Sequence, residues 1–173
     1  MTEGSPSQPA PPAHEAAERR DWVAYFDRME GKPARATLLR ALEKFGPVDA
    51  SDAPLAVDLG CGSGQDLVAL IDAGWRVWAC DADAEGLARV RARPACAAAI
   101  ALGQLTVERA EFGGVEIPPA RLVNASFALP FCPPSAFPGL WAKIDAALGA
   151  GGPGGRFAGQ LFGDRDDWAR LGD

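Results

Sequence analysis

The 173-residue chain carries a formal net charge of −6 and a pI near 4.8, which disfavours general nucleic-acid binding, because phosphate backbones are held by clustered Lys and Arg. Its length is that of one domain with a substantial core. A single histidine, His14, leaves nothing from which to build a Ser-His-Asp or Cys-His centre or a His-rich zinc site.

In chain order, residues 1–13 are rich in Pro, Ser and Gly and are expected to be disordered. From His14 to Met29 the pattern turns helical, with Trp22, Val23, Phe26 and Met29 as an apolar stripe. A second helix, Ala34 to Phe45, carries Leu38, Leu39, Leu42 and Phe45. Leu55-Ala56-Val57-Asp58-Leu59 is a short apolar strand, Gly60, Gly62 and Gly64 form a turn, and Leu67, Leu70 and Ile71 share the face of a following helix. A second strand, Arg76 to Cys80, delivers Asp81, 21 residues after Gly60. In nucleotide-binding βαβ units an acid about 20 residues beyond the glycines accepts hydrogen bonds from ribose hydroxyls, and Asp81 fits that place.

The glycine spacing is G-x-G-x-G and not G-x-G-x-x-G, and Asp58 lies near the end of the first strand, close to where a pyrophosphate would meet the helix start. A carboxylate there repels a diphosphate and suits a ligand with ammonium and sulfonium charges. The run DLGCGSG resembles the first motif of class I S-adenosylmethionine-dependent methyltransferases. The resemblance implies that Asp58 and the turn Gly60, Cys61, Gly62 and Gly64 receive the methionine half of S-adenosylmethionine, while Asp81 and Ala82 receive the ribose. It also implies that the two leading helices, within residues 14–50, cap the cofactor cleft, and that residues 51–173 form the methyltransferase domain.

After Asp81, Ala84 to Arg93 reads as a helix halted by Pro94, continued by Ala95 to Leu102. Leu105 to Arg109 is a third strand, followed by Glu111 and Phe112. In the family resembled, an acid and an apolar neighbour at this point flank the adenine, so Glu111 and Phe112 are candidates. Leu122 to Ser126 is a fourth strand opening into a Phe- and Pro-rich segment, Phe127 to Pro134. Ligands in open α/β sheets bind beyond the carboxyl ends of strands, which makes Asn124, Ser126, Phe127, Phe131 and, from the first helix, Tyr25 the acceptor-side candidates. Asn124 is also a candidate cofactor contact. It does not begin an Asn-Pro-Pro-Tyr motif, so methylation of adenine or glutamine amines is not supported. Arg121 stands where many relatives carry an acid.

Ser135 is placed to cap a helix from Phe137 to Leu148. The run GAGGPGG then turns the chain into a fifth strand, Arg156 to Phe162, ahead of Gly163 to Trp168. VNASFALPF with GGRFAGQLFGDRDDW is similar to a bacterial small-molecule branch of the family, the tellurite-resistance type. The fold expected is α/β, a Rossmann-like doubly wound sheet of order 3-2-1-4-5 that lacks the family's usual last two strands, with self-association through the fifth-strand edge as a consequence. Cys61, Cys80, Cys96 and Cys132 show no C-x-x-C spacing, so neither a metal nor a disulfide framework is expected. No stretch has the form of a signal peptide or membrane span, and a cytoplasmic location is expected. Three rival readings remain at this stage: a non-catalytic cofactor-binding remnant, an NAD-dependent oxidoreductase, and a nucleic-acid methyltransferase, the last disfavoured by the acidity and the absence of a basic stretch.

Overall fold

Three strands buried along nearly their whole length form the centre of the molecule. These are β1 (Leu55–Leu59), β2 (Arg76–Asp81) and β4 (Leu122–Ser126). Runs that are apolar at successive positions, not alternate ones, suit a parallel sheet covered on both faces. The more polar β3 (Leu105–Arg109) and β5 (Arg156–Gln160) lie at the two ends of the sheet, whose order is β3-β2-β1-β4-β5 with every pairing parallel. That is the expected α/β order. The computed structural model describes residues 21–163. The Pro-rich tail 1–13, His14 and the run from Asp164 to Trp168 lie outside the described residues.

Side chains alternate across the pleat, so the strands divide their residues between two cores. On one face Ala56, Val77, Ala79, Leu105, Leu122 and Ala158 meet helices α2 (Ala36–Phe45), α3 (Leu67–Asp72), α4 (Ala84–Ala92) and α5 (Pro94–Ala101). On the other, Val57, Leu59, Trp78, Cys80, Val123 and Ala125 meet Leu140 and Ile144 of α6 (Phe137–Ala150) and the segment holding Val115 and Ala120. Among the described residues no helix is long and apolar enough to cross a membrane.

Helix boundaries depart from the sequence expectation where a backbone group or a ring competes. Pro94 opens α5 at its first turn, where its missing N–H costs nothing, and Arg93 stands between the two helices. Ser135 does not cap α6. The carbonyl of Pro133 instead accepts the N–H groups of Ala136 and Phe137, and α6 runs on to Ala150. β5 stops at Gln160, and Phe162 leaves the sheet to stack on Phe127, ring centroids 5.7 Å apart. In α1 (Trp22–Met29) only Phe26 of the apolar stripe is buried, and Val23 faces solvent.

The two leading helices have different neighbours. α1 packs on α4 above the carboxyl ends of the strands, whereas α2 lies on β4 and β5 and contributes Leu38 and Ala41 to the core. Gly64 joins the turn to this core. Its φ of +82° is open to glycine, and a Cβ there would stand 2.9 Å from Val90 Cγ2. Gly64→Ala should therefore lower stability by about 1–3 kcal/mol; chemical denaturation checks it, and an unchanged midpoint contradicts the strain argument.

Candidate functional site

The strand order reverses on either side of β1, and a crevice opens there beyond the carboxyl ends of β1 and β4. The glycine turn fills its floor. Gly60 and Cys61 both donate N–H groups to the carbonyl of Cys80, at 2.9 and 3.0 Å, so the chain leaving β1 is held to the end of β2. Gly60 has φ +71°, and a side chain on it would collide with Ala128. The turn can thus be made only by glycine at this position.

Asp81 closes the turn from the other side. One carboxylate oxygen accepts from Gly62 N at 2.7 Å and the other from Asp83 N at 2.8 Å. Asp83 in turn caps α4 through Gly86 N. Each carboxylate oxygen has a second lone pair, so Asp81 can hold the turn and still accept from a ligand diol. Burial raises its pKa, opposed by the Asp83 and Gly62 hydrogen bonds. Ala82 is exposed beside it.

Behind the turn lies a buried polar network. Asp58, 2 % exposed, faces Asn124 across the β1–β4 pair. Asn124 Nδ2 donates to Asp58 Oδ1 at 2.8 Å and to Asp66 Oδ2 at 3.0 Å, and Ser126 Oγ donates to the same Asp66 oxygen at 2.9 Å. The other Asp66 oxygen accepts the backbone N–H of Arg35 at 2.8 Å, which fixes the start of α2 against the site. Asn124 has no exposure, and its amide is committed to the two acids, so it stands behind the crevice and does not face an acceptor. Asp58 Oδ2 is buried without a hydrogen-bond partner, although Asp58 lines the crevice. An orphaned acceptor of this kind costs free energy until a donor reaches it. Burial is the main reason the Asp58 carboxyl is pushed well above the usual range, with the negative charge of Asp66 adding to it and the Asn124 bond opposing.

Asp66 and Phe26 were not singled out from the sequence. Asp66 had a local signal, an acid immediately before a helix, but its partners on α2 and β4 are remote in sequence. Phe26 reads there as one of four stripe residues. In the fold it lies over the turn, so that a Cβ on Gly62 would meet its ring at 3.2 Å and one on Gly86 at 2.9 Å. The free space above the turn is ≈ 60 Å³, bordered by Phe26, Tyr25, Met29, Arg35 and Ser126.

The remaining candidates lie around this space. The Phe112 ring approaches Gly60, 3.6 Å from where a Cβ would be, while Glu111 is exposed on the outer side of the same loop. Phe127 adopts φ +58°, unusual for a non-glycine residue. Its ring takes the Arg35 guanidinium at 5.2 Å, and Phe131 meets Trp22 and Phe162 edge-on at 5.4 and 5.6 Å. Tyr25 borders the crevice, with its hydroxyl 3.4 Å from Arg35 Nη2. Cys61 is buried in the turn and desolvation raises its thiol pKa well above the ordinary value, while that of Cys80 is raised to about 12. Both are protonated at neutral pH and are packing groups, not nucleophiles.

Residues 56–152, more than half of the chain, match the family described as "Methyltransferase domain". The chain belongs to the methyltransferase-domain family. The matched span runs from β1 through α6 and contains the whole glycine turn, Asp81 and the β4 network. No curated protein sequence matches the chain. Solved structures with a similar fold include the glycopeptide N-methyltransferase MtfA complexed with S-adenosyl-L-methionine (24 % identity, TM-score 0.56, 72 % of this chain and 53 % of that one). A second is an S-adenosylmethionine-dependent methyltransferase from Mesorhizobium loti (28 %, TM-score 0.51, 73 % and 54 %). A third is a TehB-like SAM-dependent methyltransferase from Corynebacterium glutamicum (17 %, TM-score 0.58, 93 % and 82 %). The chain spans about half the length of the first two, 53 % and 54 %.

In this methyltransferase domain the acids at the turn make a pH-dependence prediction. The folded pKa of Asp58 is raised, so its stabilising protonated form is fully present below the unfolded carboxyl value of ~3.9, and the ligand-free fold should lose stability as pH rises from there through the raised value. Asp58→Asn keeps an acceptor for Asn124 and removes the charge. It should flatten that decline and be more stable than wild type at pH 8 by at least ~1 kcal/mol. Denaturant titrations at pH 5, 6.5 and 8 test this, and parallel pH profiles for the two proteins would refute it.

Proposed function

We propose that this domain binds S-adenosylmethionine at the glycine turn and transfers its methyl group to a small nucleophilic acceptor, in the manner of the bacterial tellurite-resistance type. The observation that carries the reading is the placement of two acids on one glycine turn, Asp81 at its rim and Asp58 beneath it, lining the crevice and keeping one buried oxygen without a partner. Membership of the methyltransferase-domain family supports it, as do similar folds solved with S-adenosyl-L-methionine, sinefungin and S-adenosyl-L-homocysteine. The TehB-like enzyme, of which this chain spans 82 %, shares the fold.

The residues present fit such a group. Asp81 accepts from the ribose diol, Phe112 flanks the adenine, and Asp58 with Asp66 faces the positively charged methionine end. Among the described residues Arg35 is the one guanidinium bordering the crevice, and it suits the carboxylate. When bound, S-adenosylmethionine supplies an electrophilic methyl carbon on a sulfonium. Tyr25, Phe127 and Phe131 then form the aromatic wall that aligns the acceptor and excludes water. Positioning of this kind is worth up to roughly 7–11 kcal/mol of barrier, and no protein nucleophile is needed. A dinucleotide fits less well, because its pyrophosphate would approach Asp58.

Calorimetric titration with S-adenosylhomocysteine and with NAD tests the assignment. The first should bind and the second should not. Asp81→Ala should weaken S-adenosylhomocysteine by about 1–3 kcal/mol. Binding of NAD alone, or an unchanged affinity in the folded variant, contradicts the reading; transfer from labelled cofactor to a panel of small acceptors then tests turnover.

Entry requires α1 to move. The ≈ 60 Å³ above the turn is far below the roughly 300 Å³ at which small-molecule sites begin. α1 is tied down by Asp27–Arg89 at 2.6 Å and Glu30–Arg93 at 3.3 Å, exposed pairs of a kind worth about 0–1 kcal/mol each. The buried Phe26 ring contributes more, about 1.5–3 kcal/mol. Phe26→Ala should therefore tighten S-adenosylhomocysteine binding, by about tenfold for each 1.4 kcal/mol of closure removed. A weaker affinity in the folded variant identifies Phe26 as a wall of the occupied site instead of its plug.

A further inference from the structure

A second cavity lies away from the glycine turn. It has a volume of ≈ 330 Å³ and lies at the opposite, amino-terminal end of the sheet, where Pro54 and Leu55 lead into β1, Trp75 into β2 and Arg121 into β4. Phe45, at the end of α2, meets Trp75 edge-to-face with ring centroids 4.9 Å apart, and the two form an apolar corner of the cavity.

The charges at this corner are unbalanced. The Arg121 guanidinium lies 5.7 Å from the centre of the Phe45 ring and that of Arg156 lies 5.2 Å from the same centre, so two cations share one aromatic ring. Neither forms an ion pair among the described residues. Arg121 Nε is buried and has no hydrogen-bond acceptor. The backbone around Arg121 is fixed, its N–H donating to Leu55 and its carbonyl accepting from Arg156. Gly152 and Gly154, both with positive φ, pass alongside it, and a Cβ on either would only touch its stem or its Nη2 at 3.7–3.8 Å. Two acids stand at the rim. Asp49 is turned into its own loop by Ser51 N and Oγ at 2.8 and 2.7 Å, and Asp52 is exposed and unpaired with either arginine. Two like charges at one ring, one with an orphaned donor, call for an anion.

We infer that this cavity is a second binding site, for a small organic carboxylate with a flat apolar body: Arg121 and Arg156 take the carboxylate and the Phe45–Trp75 corner takes the ring. The site is independent of the proposed methyl transfer, because its residues lie at the far end of the sheet from Asp58 and Asp81.

Benzoate, its neutral isostere benzamide and inorganic phosphate, titrated into the ¹⁵N-labelled full chain, test the proposal. The readout is the Arg121 Nε–H resonance, assigned by its loss in Arg121→Lys. Benzoate should shift it saturably, with benzamide and phosphate each at least tenfold weaker. Arg121→Gln should weaken benzoate at least tenfold while leaving S-adenosylhomocysteine affinity within twofold. Equal binding of benzoate and benzamide removes the charge argument, and phosphate binding as tightly as benzoate removes the apolar corner. Retention of benzoate by folded Arg121→Gln, displacement by S-adenosylhomocysteine, or no saturable shift each overturns the site. Should Arg121→Gln fail to fold, Arg156→Gln, on the exposed strand end, and the wild-type ligand comparison still decide it.

Discussion

The hydrogen bonds that tie the end of β1 to the end of β2 are the constraint on which the remaining geometry rests. Gly60 and Cys61 donate to Cys80, and Gly62 donates to Asp81, so the turn is anchored to the neighbouring strand at successive residues. That anchoring holds the turn in left-handed backbone conformations, which only glycine adopts cheaply. It also brings Phe112 against Gly60 and starts α4 through Asp83. A site built on strand ends and short turns in this way is preorganised by the sheet itself.

Electrostatics give the site its character. Asp58 and Asp66 share the amide of Asn124, and the same donors would have to satisfy both carboxylates in a medium where unpaired charge is costly. A proton on Asp58 relieves the conflict in the ligand-free fold, and a cationic ligand group relieves it in another way. The acids under the turn thereby favour positive charge and oppose a diphosphate. Phe26 contributes the opposing term, since its ring gains burial by filling the space that a ligand requires.

The two ends of the sheet are chemically distinct. The carboxyl ends gather acids, glycines and an aromatic wall, whereas the amino ends gather two arginines over one phenylalanine. The central strands between them are apolar at most positions, and the Asp58–Asn124–Asp66–Ser126 network belongs wholly to the glycine-turn site.

Strand positions and the glycine turn were legible in the sequence because each depends on a local pattern, short strand-forming runs, glycines at fixed spacing and an acid at the end of the second strand, whereas the strand order followed from the family resemblance. Spacing singled out Asp81 and the charge at the strand end singled out Asp58, while Cys61 and Phe112 entered through the family resemblance. What only the tertiary structure decided depends on pairs remote in sequence. Asn124 appeared as an acceptor-side and cofactor-contact candidate, and the fold buries it behind the turn, because parallel pairing sets it opposite Asp58. Asp66 gained its importance from Arg35 and Ser126, 31 and 60 residues away. The apolar residues of the first helix form one stripe in sequence, but packing on α4 buries Phe26 and leaves Val23 in water. The arginine pair on Phe45 joins residues from three separate elements. Periodicity reports which face of an element is apolar; it carries no information about which distant side chain meets that face, and both sites are made of such meetings.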